Sequence, residues 1–204
     1  MRKIHLILIA FIVISNTYSQ EVYFITGTNI TKYNFSSDLG TMKTPLFSGT
    51  GSTYELGYMR PLFIEHFSHT IGLNLNDYNV AAGDFANSYK WNTKYLGLNN
   101  SLDFDFTVIE DVQLVLKAGL NLSTIIYGRQ EVNGALFDLK KLNEFSGLIF
   151  IPYSGLNLKY NINDNEYLSI GYALSKSFKL FNNSNEKLTT TTNQIVLGIH
   201  FLIN

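Results

Sequence analysis

The sequence predicts an all-β fold: an eight-stranded antiparallel up-and-down transmembrane β-barrel that follows a cleaved signal peptide. Three observations lead to this prediction. Long segments alternate apolar and polar residues, each segment carries one glycine near its middle, and the gaps between those glycines are alternately wide and narrow. Tilted membrane-spanning strands, joined by short turns at one end and long loops at the other, produce this pattern.

The N-terminal segment is typical of a secretory signal peptide. A basic head precedes an apolar run from Ile4 to Ile14, and the small residue Ser19 marks the expected cleavage site. The run is shorter than the roughly 20 residues that a spanning helix needs, which favours cleavage over anchoring. We expect residues 1–19 to form the signal peptide and residues 20–204 to form one outer-membrane barrel domain.

The composition excludes several functional classes. The chain has no cysteine, so disulfides and thiolate metal sites are excluded. Its 16 acidic residues slightly outnumber its 15 basic ones, which argues against a nucleic-acid partner. Beyond residue 20 no uncharged apolar stretch approaches the length of a spanning helix, so a helical membrane protein is excluded as well. We expect no cofactor and no metal.

The alternation is clearest in the segment from Asp111 to Tyr127, where one face is almost entirely apolar. The same test predicts seven further strands: Val22–Phe35, Thr50–Leu62, Phe67–Asn79, Trp91–Thr107, Gly147–Ile162, Glu166–Leu180 and Thr190–Ile203. The long connections then face outward from the cell: Ser36–Gly49, Val80–Lys90, Arg129–Ser146 and Phe181–Thr189.

The glycines predict which face of each strand points inward. They lie on the more polar face: Gly27, Gly57, Gly72, Gly97, Gly119, Gly155, Gly171 and Gly198. Eight strands enclose just enough space for side chains, so an inward glycine makes room for bulky neighbours. The same face carries the charged residues Glu55, Asp103, Asp105, Lys117, Lys159 and His200. A turn near Ile109 would place Asp103 diagonally from Lys117, and we favour filling of the lumen over a proton or ion path.

The opposite face carries residues suited to lipid. Aromatic side chains near the short turns predict one interfacial girdle: Phe67, Phe104, Phe106, Tyr160 and Phe201. Near the long loops, Lys32, Lys94 and Lys176 share the outward face at the expected height of outer-leaflet phosphates. Because lysine binds phosphate as a point charge, we hypothesise a lipopolysaccharide contact there, with ordinary rim charges as the alternative.

The segment "EHFSH" contains the residue types of an acyl-hydrolase triad. Ser68 is expected to point inward and His69 outward on the same strand, with His66 in the turn. A nucleophile and its base must lie within hydrogen-bonding distance, so this segment is not expected to form a catalytic site.

Four segments resemble the small outer-membrane β-barrel proteins of the PorT-like or porin-family type: "VYFITGTNITKY", "LVLKAGLNLS", "IPYSGLNLKYNI" and "QIVLGIHFLIN". The resemblance implies a bacterial outer-membrane location. It also implies that Phe201, in the terminal strand, serves as the barrel-assembly signal.

The leading functional hypothesis is a non-enzymatic outer-membrane barrel in contact with lipid, whose 129–146 loop binds another envelope protein or stabilises an envelope complex. "VNG" at Val132 to Gly134 is a turn signal that would extend this hairpin above the membrane. The alternatives are an outer-membrane lipid-modifying enzyme, a pore, which eight strands disfavour, and a soluble lipocalin-like barrel with its apolar face inward.

Overall fold

The computed structural model describes residues 20–37, 40–41, 46–83, 88–179 and 187–203. Eight long strands are present: β1 (Gln20–Ser37), β2 (Leu46–Pro61), β3 (Phe67–Asp77), β4 (Ser88–Ile109), β5 (Val112–Val132), β6 (Leu148–Asn163), β7 (Glu166–Lys176) and β8 (Lys187–Ile203). Short strands lie at Gly40–Thr41, Val80–Gly83, Ala135–Asp138 and Phe178–Lys179, and a 3₁₀ turn lies at Leu139–Lys141. The expected signal peptide lies outside the described residues and stays a prediction.

The eight long strands form a closed antiparallel ring. Each strand pairs with its neighbours in sequence, and β8 pairs with β1 from Ser36 opposite Lys187 to Gln20 opposite Ile203. Closure gives every long strand two hydrogen-bonded neighbours, which hydrocarbon surroundings require because they offer the backbone no water. The predicted barrel class is therefore confirmed. Within the described ranges, no helix has the length and apolar character needed to cross a membrane.

The two faces of the ring differ in chemistry. Apolar side chains stand exposed on the outside; Leu56 and Leu197, for example, are 59% and 58% exposed. The buried inner face is largely polar, with side chains such as Asn29, Thr31 and Ser101. A soluble lipocalin-like barrel needs the reverse arrangement, and so continuous an apolar exterior would aggregate in water. The barrel is built to stand in lipid.

The strand ends differ from the sequence prediction mainly at the long-loop end. Strand β4 begins at Ser88, β5 continues to Val132 and β8 begins at Lys187, each three to five residues beyond the predicted limit. The backbone hydrogen bonds between strands continue there, but polar residues occur on both faces of these strand ends. The apolar–polar alternation therefore does not mark where the strands end. Strand β7 ends earlier, at Lys176, because the Ser177 hydroxyl accepts the backbone N–H of Thr190 at 2.7 Å and interrupts the ladder.

An aromatic and aliphatic cluster fills the long-loop end of the interior. Its buried members are Tyr33, Tyr78, Val80, Tyr95, Leu139, Phe145, Ile149 and Ile151. Two of them, Leu139 and Phe145, come from the connection between β5 and β6, so this loop folds back into the barrel mouth. The remaining interior, toward the short turns, is polar and charged.

Candidate functional site

The structure places all eight mid-strand glycines on the inner face. Gly57 lies directly opposite Gly72 on neighbouring strands, and the Tyr23 hydroxyl occupies the space above this pair. A Cβ atom at Gly57 would lie 2.2 Å from Tyr23 Oη, and one at Gly72 would lie 2.9 Å from it. These two glycines therefore make room for a polar cluster at the barrel centre.

The first polar group, near the short turns, centres on Glu21. Lys159 Nζ donates to Glu21 Oε2 at 2.6 Å, and His200 Nδ1 bonds the other carboxylate oxygen. On the far side of the imidazole, Ser169 Oγ lies 2.8 Å from His200 Nε2. Glu21, Lys159 and His200 are all at least nine-tenths buried. The ion pair and the hydrogen bonds therefore offset the free-energy cost of removing these side chains from water.

A second buried pair joins Asp103 to Lys117. The two ions lie 3.3 Å apart, and the hydroxyls of Thr70 and Ser101 donate to the same carboxylate at 2.9 and 2.7 Å. The register corrects the diagonal placement that a turn near Ile109 predicts. The structure turns at Glu110–Asp111 and has a ladder irregularity between Thr107 and Ile109, which together set Asp103 directly opposite Lys117.

A third group lies deeper and contains Glu55. Tyr23 Oη donates to Glu55 Oε1 at 2.5 Å, and Asn99 Nδ2 lies 3.0 and 2.9 Å from the two carboxylate oxygens. Among the described residues, Glu55 forms no ion pair, since each lumen lysine already holds a different carboxylate. Among the described residues of this central region, Glu55 is therefore held by hydrogen bonds from Tyr23 and Asn99 rather than by an ion pair.

Ser169, His200 and Glu21 form the chain of hydrogen bonds that a hydrolase triad has, but there is no space for a substrate beside the Ser169 hydroxyl. A Cβ atom at Gly198 would lie 2.5 Å from Ser169 Oγ, which shows that the hydroxyl packs tightly against the neighbouring strand. A nucleophile needs an approach path for the acyl carbon and donors for the developing oxyanion. We therefore assign these three residues to lumen packing.

The "EHFSH" segment does not assemble a triad either. Ser68 is buried on the inner face, whereas His69 points outward and lies 3.3 Å from Asn100 Oδ1. His66, in the turn, approaches Asp105 at 3.8 Å. A cavity of about 730 Å³ opens at this end of the barrel, between the turn and the Glu21 group. No set of three or more His, Asp or Glu side chains in the described ranges is arranged to hold a metal ion.

The three outward lysines are not equivalent. Lys94 Nζ lies 3.0 Å from Asp77 Oδ1 on the neighbouring strand, so its charge is already paired. Lys32 and Lys176 are exposed, and both lie opposite Thr191, one on each side of β8. The expected girdle residues Tyr160 and Phe201 lie exposed on the outer face near the short turns, and Phe67 contacts Phe104 there with ring centroids 5.0 Å apart.

The 129–146 connection forms a hairpin on the far end of the barrel. Arg129–Val132 pairs with Ala135–Asp138 through a two-residue turn, and both turn residues, Asn133 and Gly134, have positive φ. The Asp138 side chain then caps the 3₁₀ turn by accepting from Lys140 N at 3.0 Å. The hairpin is therefore held by the ladder, the cap and the buried plug formed by Leu139 and Phe145.

Comparisons with known proteins agree on the fold. No protein-family model matches the chain, and no curated protein sequence is similar to it. Among solved structures it is similar to Neisserial surface protein A, with 15% identity and a TM-score of 0.51 over 88% of this chain and 96% of that one. It is also similar to the outer membrane protein OprG from Pseudomonas aeruginosa, with 11% identity and a TM-score of 0.57 over 92% and 97%.

The chain is thus an eight-stranded transmembrane β-barrel of the outer-membrane class. Its outer-membrane location follows from this shared fold together with the apolar outer face. The short turns then face the periplasm and the long loops face the outside.

Sequence reasoning missed several inner-face residues. Glu21, Tyr23 and Ser169 belong to the polar groups but were not singled out from the sequence. Each of the three lies an even number of residues from the glycine of its own strand, Gly27 for Glu21 and Tyr23 and Gly171 for Ser169. Assigning every second residue from that glycine to the inner face would therefore have found them. The inward contribution of Leu139 and Phe145 had no such signal, because they lie in a loop without alternation.

Proposed function

We propose that the protein is a non-enzymatic outer-membrane barrel that binds another envelope protein through the hairpin of the 129–146 loop. The observation that carries the proposal is the presentation of Leu136 and Phe137, which are 61% and 53% exposed on a hairpin that is itself firmly anchored. Exposed apolar residues on a preorganised element bind with little ordering cost. The PorT-like resemblance stays a prediction.

The anchoring of the hairpin supports binding rather than gating. Phe145 contacts Trp91 in an edge-on arrangement with centroids 5.3 Å apart and Tyr33 at 6.3 Å. Leu139 is fully buried beside them. Opening the mouth would expose these side chains to water, which opposes a moving lid. The same plug makes deletion of residues 130–144 a poor test, since deletion would also remove Leu139.

Substitution of Leu136 and Phe137 by serine is expected to abolish partner binding while the barrel still folds. A photo-crosslinker at residue 137 in intact cells would first identify the partner, and the purified partner would then be titrated against the barrel. Loss of two central apolar contacts should raise the Kd by about 30-fold or more. Phe178→Ser is the matched control, because Phe178 is similarly exposed but lies outside the hairpin. Equal affinity of all three proteins would refute the proposal.

The lipid-modifying alternative makes an opposite prediction. If the barrel acts on lipid, alanine at His66 and His69 should change the lipid A profile of the membrane. We expect no change, because the His69 imidazole lies on the opposite face of the strand from Ser68, and His66 lies in the turn, where it approaches Asp105 at 3.8 Å. Lipid A analysis by mass spectrometry checks this, and an altered acylation pattern in either variant would restore the enzyme hypothesis.

A phosphate contact with lipopolysaccharide is a second proposed activity, supported by the register of Lys32 and Lys176. With Thr191 between them, the Cα atoms of the two lysines lie about 10 Å apart across three strands, so their long side chains can both reach one phosphate group. Lys94 is left out of this site because Asp77 neutralises it.

Replacing Lys32 and Lys176 by glutamine is expected to lower retention of lipopolysaccharide on the purified barrel several-fold. The change removes two charges that face lipid phosphate and leaves the inner face intact. Lys94→Gln is the matched control and should retain the wild-type amount. Competition with inorganic phosphate distinguishes a free-anion site from one that needs the lipid. Equal losses in the double variant and the control would mean that all three lysines are ordinary rim charges.

A further inference from the structure

A small cavity in the middle of the lumen has the chemistry of a cation site. Its volume is about 50 Å³, and its lining includes Glu55, Asn74, Asn99 and Asn121. A site for one water needs at least roughly 10–15 Å³ on this measure, so the cavity accommodates an ion together with water. It lies between the charged groups of the periplasmic half and the aromatic cluster that closes the outer mouth.

Two buried amide oxygens in this lining have no hydrogen-bond partner. They are Asn74 Oδ1 and Asn99 Oδ1, on side chains that are 4% and 5% exposed. The Asn99 amide nitrogen is already engaged, since it donates to Glu55. Burying an acceptor oxygen without a hydrogen-bond donor costs free energy. This cost indicates that a positively polarised atom or ion occupies the cavity.

The unpartnered Asn74 oxygen converges with the oxygens of Asn121 and Ser123 because Gly97 has no side chain, and Ser123 Oγ donates to Asn121 Oδ1 at 2.5 Å. A Cβ atom at Gly97 would lie 2.1 Å from Ser123 Oγ, 2.3 Å from Asn121 Oδ1 and 2.6 Å from Asn74 Oδ1. The ladder produces this convergence, since Asn74 and Ser123 lie opposite Gly97 on its two sides. Neutral amide, hydroxyl and carboxylate oxygens are the ligands of hard cations.

The charge of the lumen sets the charge of the ion. Lys117 is paired with Asp103, and Lys159 with Glu21, so neither of these lysines forms an ion pair with the partly buried Glu55 carboxylate. A neutral His200 satisfies both of its hydrogen bonds, donating to Glu21 and accepting from Ser169. One monovalent cation matches the single Glu55 carboxylate at this cavity, whereas a divalent ion would exceed its charge.

We propose that the lumen binds one alkali cation, Na⁺ or K⁺, through the side-chain oxygens of Asn74, Asn99 and Asn121, with Glu55 supplying the balancing charge. The site exists only in the folded barrel, because four neighbouring strands supply Glu55, Asn74, Asn99 and Asn121. The bound ion stabilises the folded barrel, and its binding does not depend on a protein partner at the hairpin. The cation site and the proposed partner binding can therefore be tested independently.

The test uses the refolded barrel in detergent, with urea unfolding measured in choline chloride and in mixtures with NaCl or KCl at constant ionic strength. A folded-state site predicts that the unfolding equilibrium constant falls in proportion to 1 + [cation]/Kd, about 100-fold at 100 times Kd. An unchanged midpoint in all three salts would mean that water alone fills the cavity and would overturn the site.

Two variants locate the effect. Asn99→Ala and Glu55→Gln should lose the dependence on Na⁺ and K⁺, while Asn157→Ala, a matched buried lumen asparagine outside the cavity lining, should keep it. Retained dependence in Glu55→Gln would overturn the assignment. If the variants do not fold, crystals of the wild-type barrel grown with Tl⁺ in place of K⁺ decide the question. An anomalous peak above Gly97 supports the site, and its absence refutes it.

Discussion

Replacing Lys159 by methionine is expected to lower the free energy of unfolding by about 3–5 kcal/mol. Methionine has a similar volume, so the packing changes little, but Glu21 then keeps a buried charge with His200 as its remaining polar partner among the described residues. Removing one member of a buried pair costs far more than the pair itself contributes, because the remaining ion stays desolvated.

Urea unfolding of the refolded barrel, followed by tryptophan fluorescence and heat-modifiable gel mobility, measures this loss. Lys94→Met is the control, since it breaks the ion pair with Asp77 at the outer surface, where the Lys94 side chain is 37% exposed against 7% for Lys159. A solvent-exposed pair contributes about 0–1 kcal/mol. Similar losses in the two variants would contradict the assignment of Glu21 and Lys159 to a desolvated pair.

Alanine at Gly27 is expected to destabilise the barrel by about 3 kcal/mol or more, at the upper end of overpacking costs. The added Cβ would lie 2.1 Å from the carbonyl oxygen of Ile195 and 2.8 Å from the Cα of Val196. Both contacts are backbone atoms of β8, so relief requires β1 and β8 to move apart along the seam that closes the ring.

The matched comparison is Gly171→Ala, which makes the same substitution on the same inner face. There the nearest atom is Asn157 Oδ1 at 2.0 Å, the end of a flexible side chain that can rotate away. We expect a loss of about 1 kcal/mol. Urea midpoints of the two variants provide the measurement, and a larger loss for Gly171→Ala would show that side-chain contacts, rather than the seam, limit inner-face volume.

The fold was predictable because lipid and lumen impose opposite chemistry on alternate residues. In β5, apolar leucines that point outward alternate with polar residues that point inward, such as Lys117, Asn121 and Ser123. Each mid-strand glycine added an independent sign of the inward face. Local pattern was therefore sufficient for the number of strands, for the face of each strand that points inward and for the end of the barrel that carries the long connections.

Register and loop packing were less predictable, since they depend on contacts that a local pattern does not encode. The irregularity near Ile109 decides whether Asp103 lies opposite or diagonal to Lys117, and nothing in the alternation marks it. A second such feature, the plug formed by Leu139 and Phe145, arises from a loop that folds back into the barrel mouth. The set of residues proposed to contact lipid phosphate differs from the sequence prediction for the same reason: Lys94 is paired with Asp77 on the neighbouring strand, whereas Lys32 and Lys176 both lie opposite Thr191.

The pairing of β1 with β8 also affects the order in which the parts of the barrel fold. His200 bonds to Glu21 across 179 positions of the chain, and the whole length of β1 pairs with the last strand. Contacts of such long sequence separation form late and slowly, because most of the chain must be arranged before they stabilise anything. Until then β1 offers an unpaired edge that any other strand can join. Pairing of β1 with β8 therefore removes the last unpaired edges of the ring, and the Glu21–His200 contact forms only in the closed barrel.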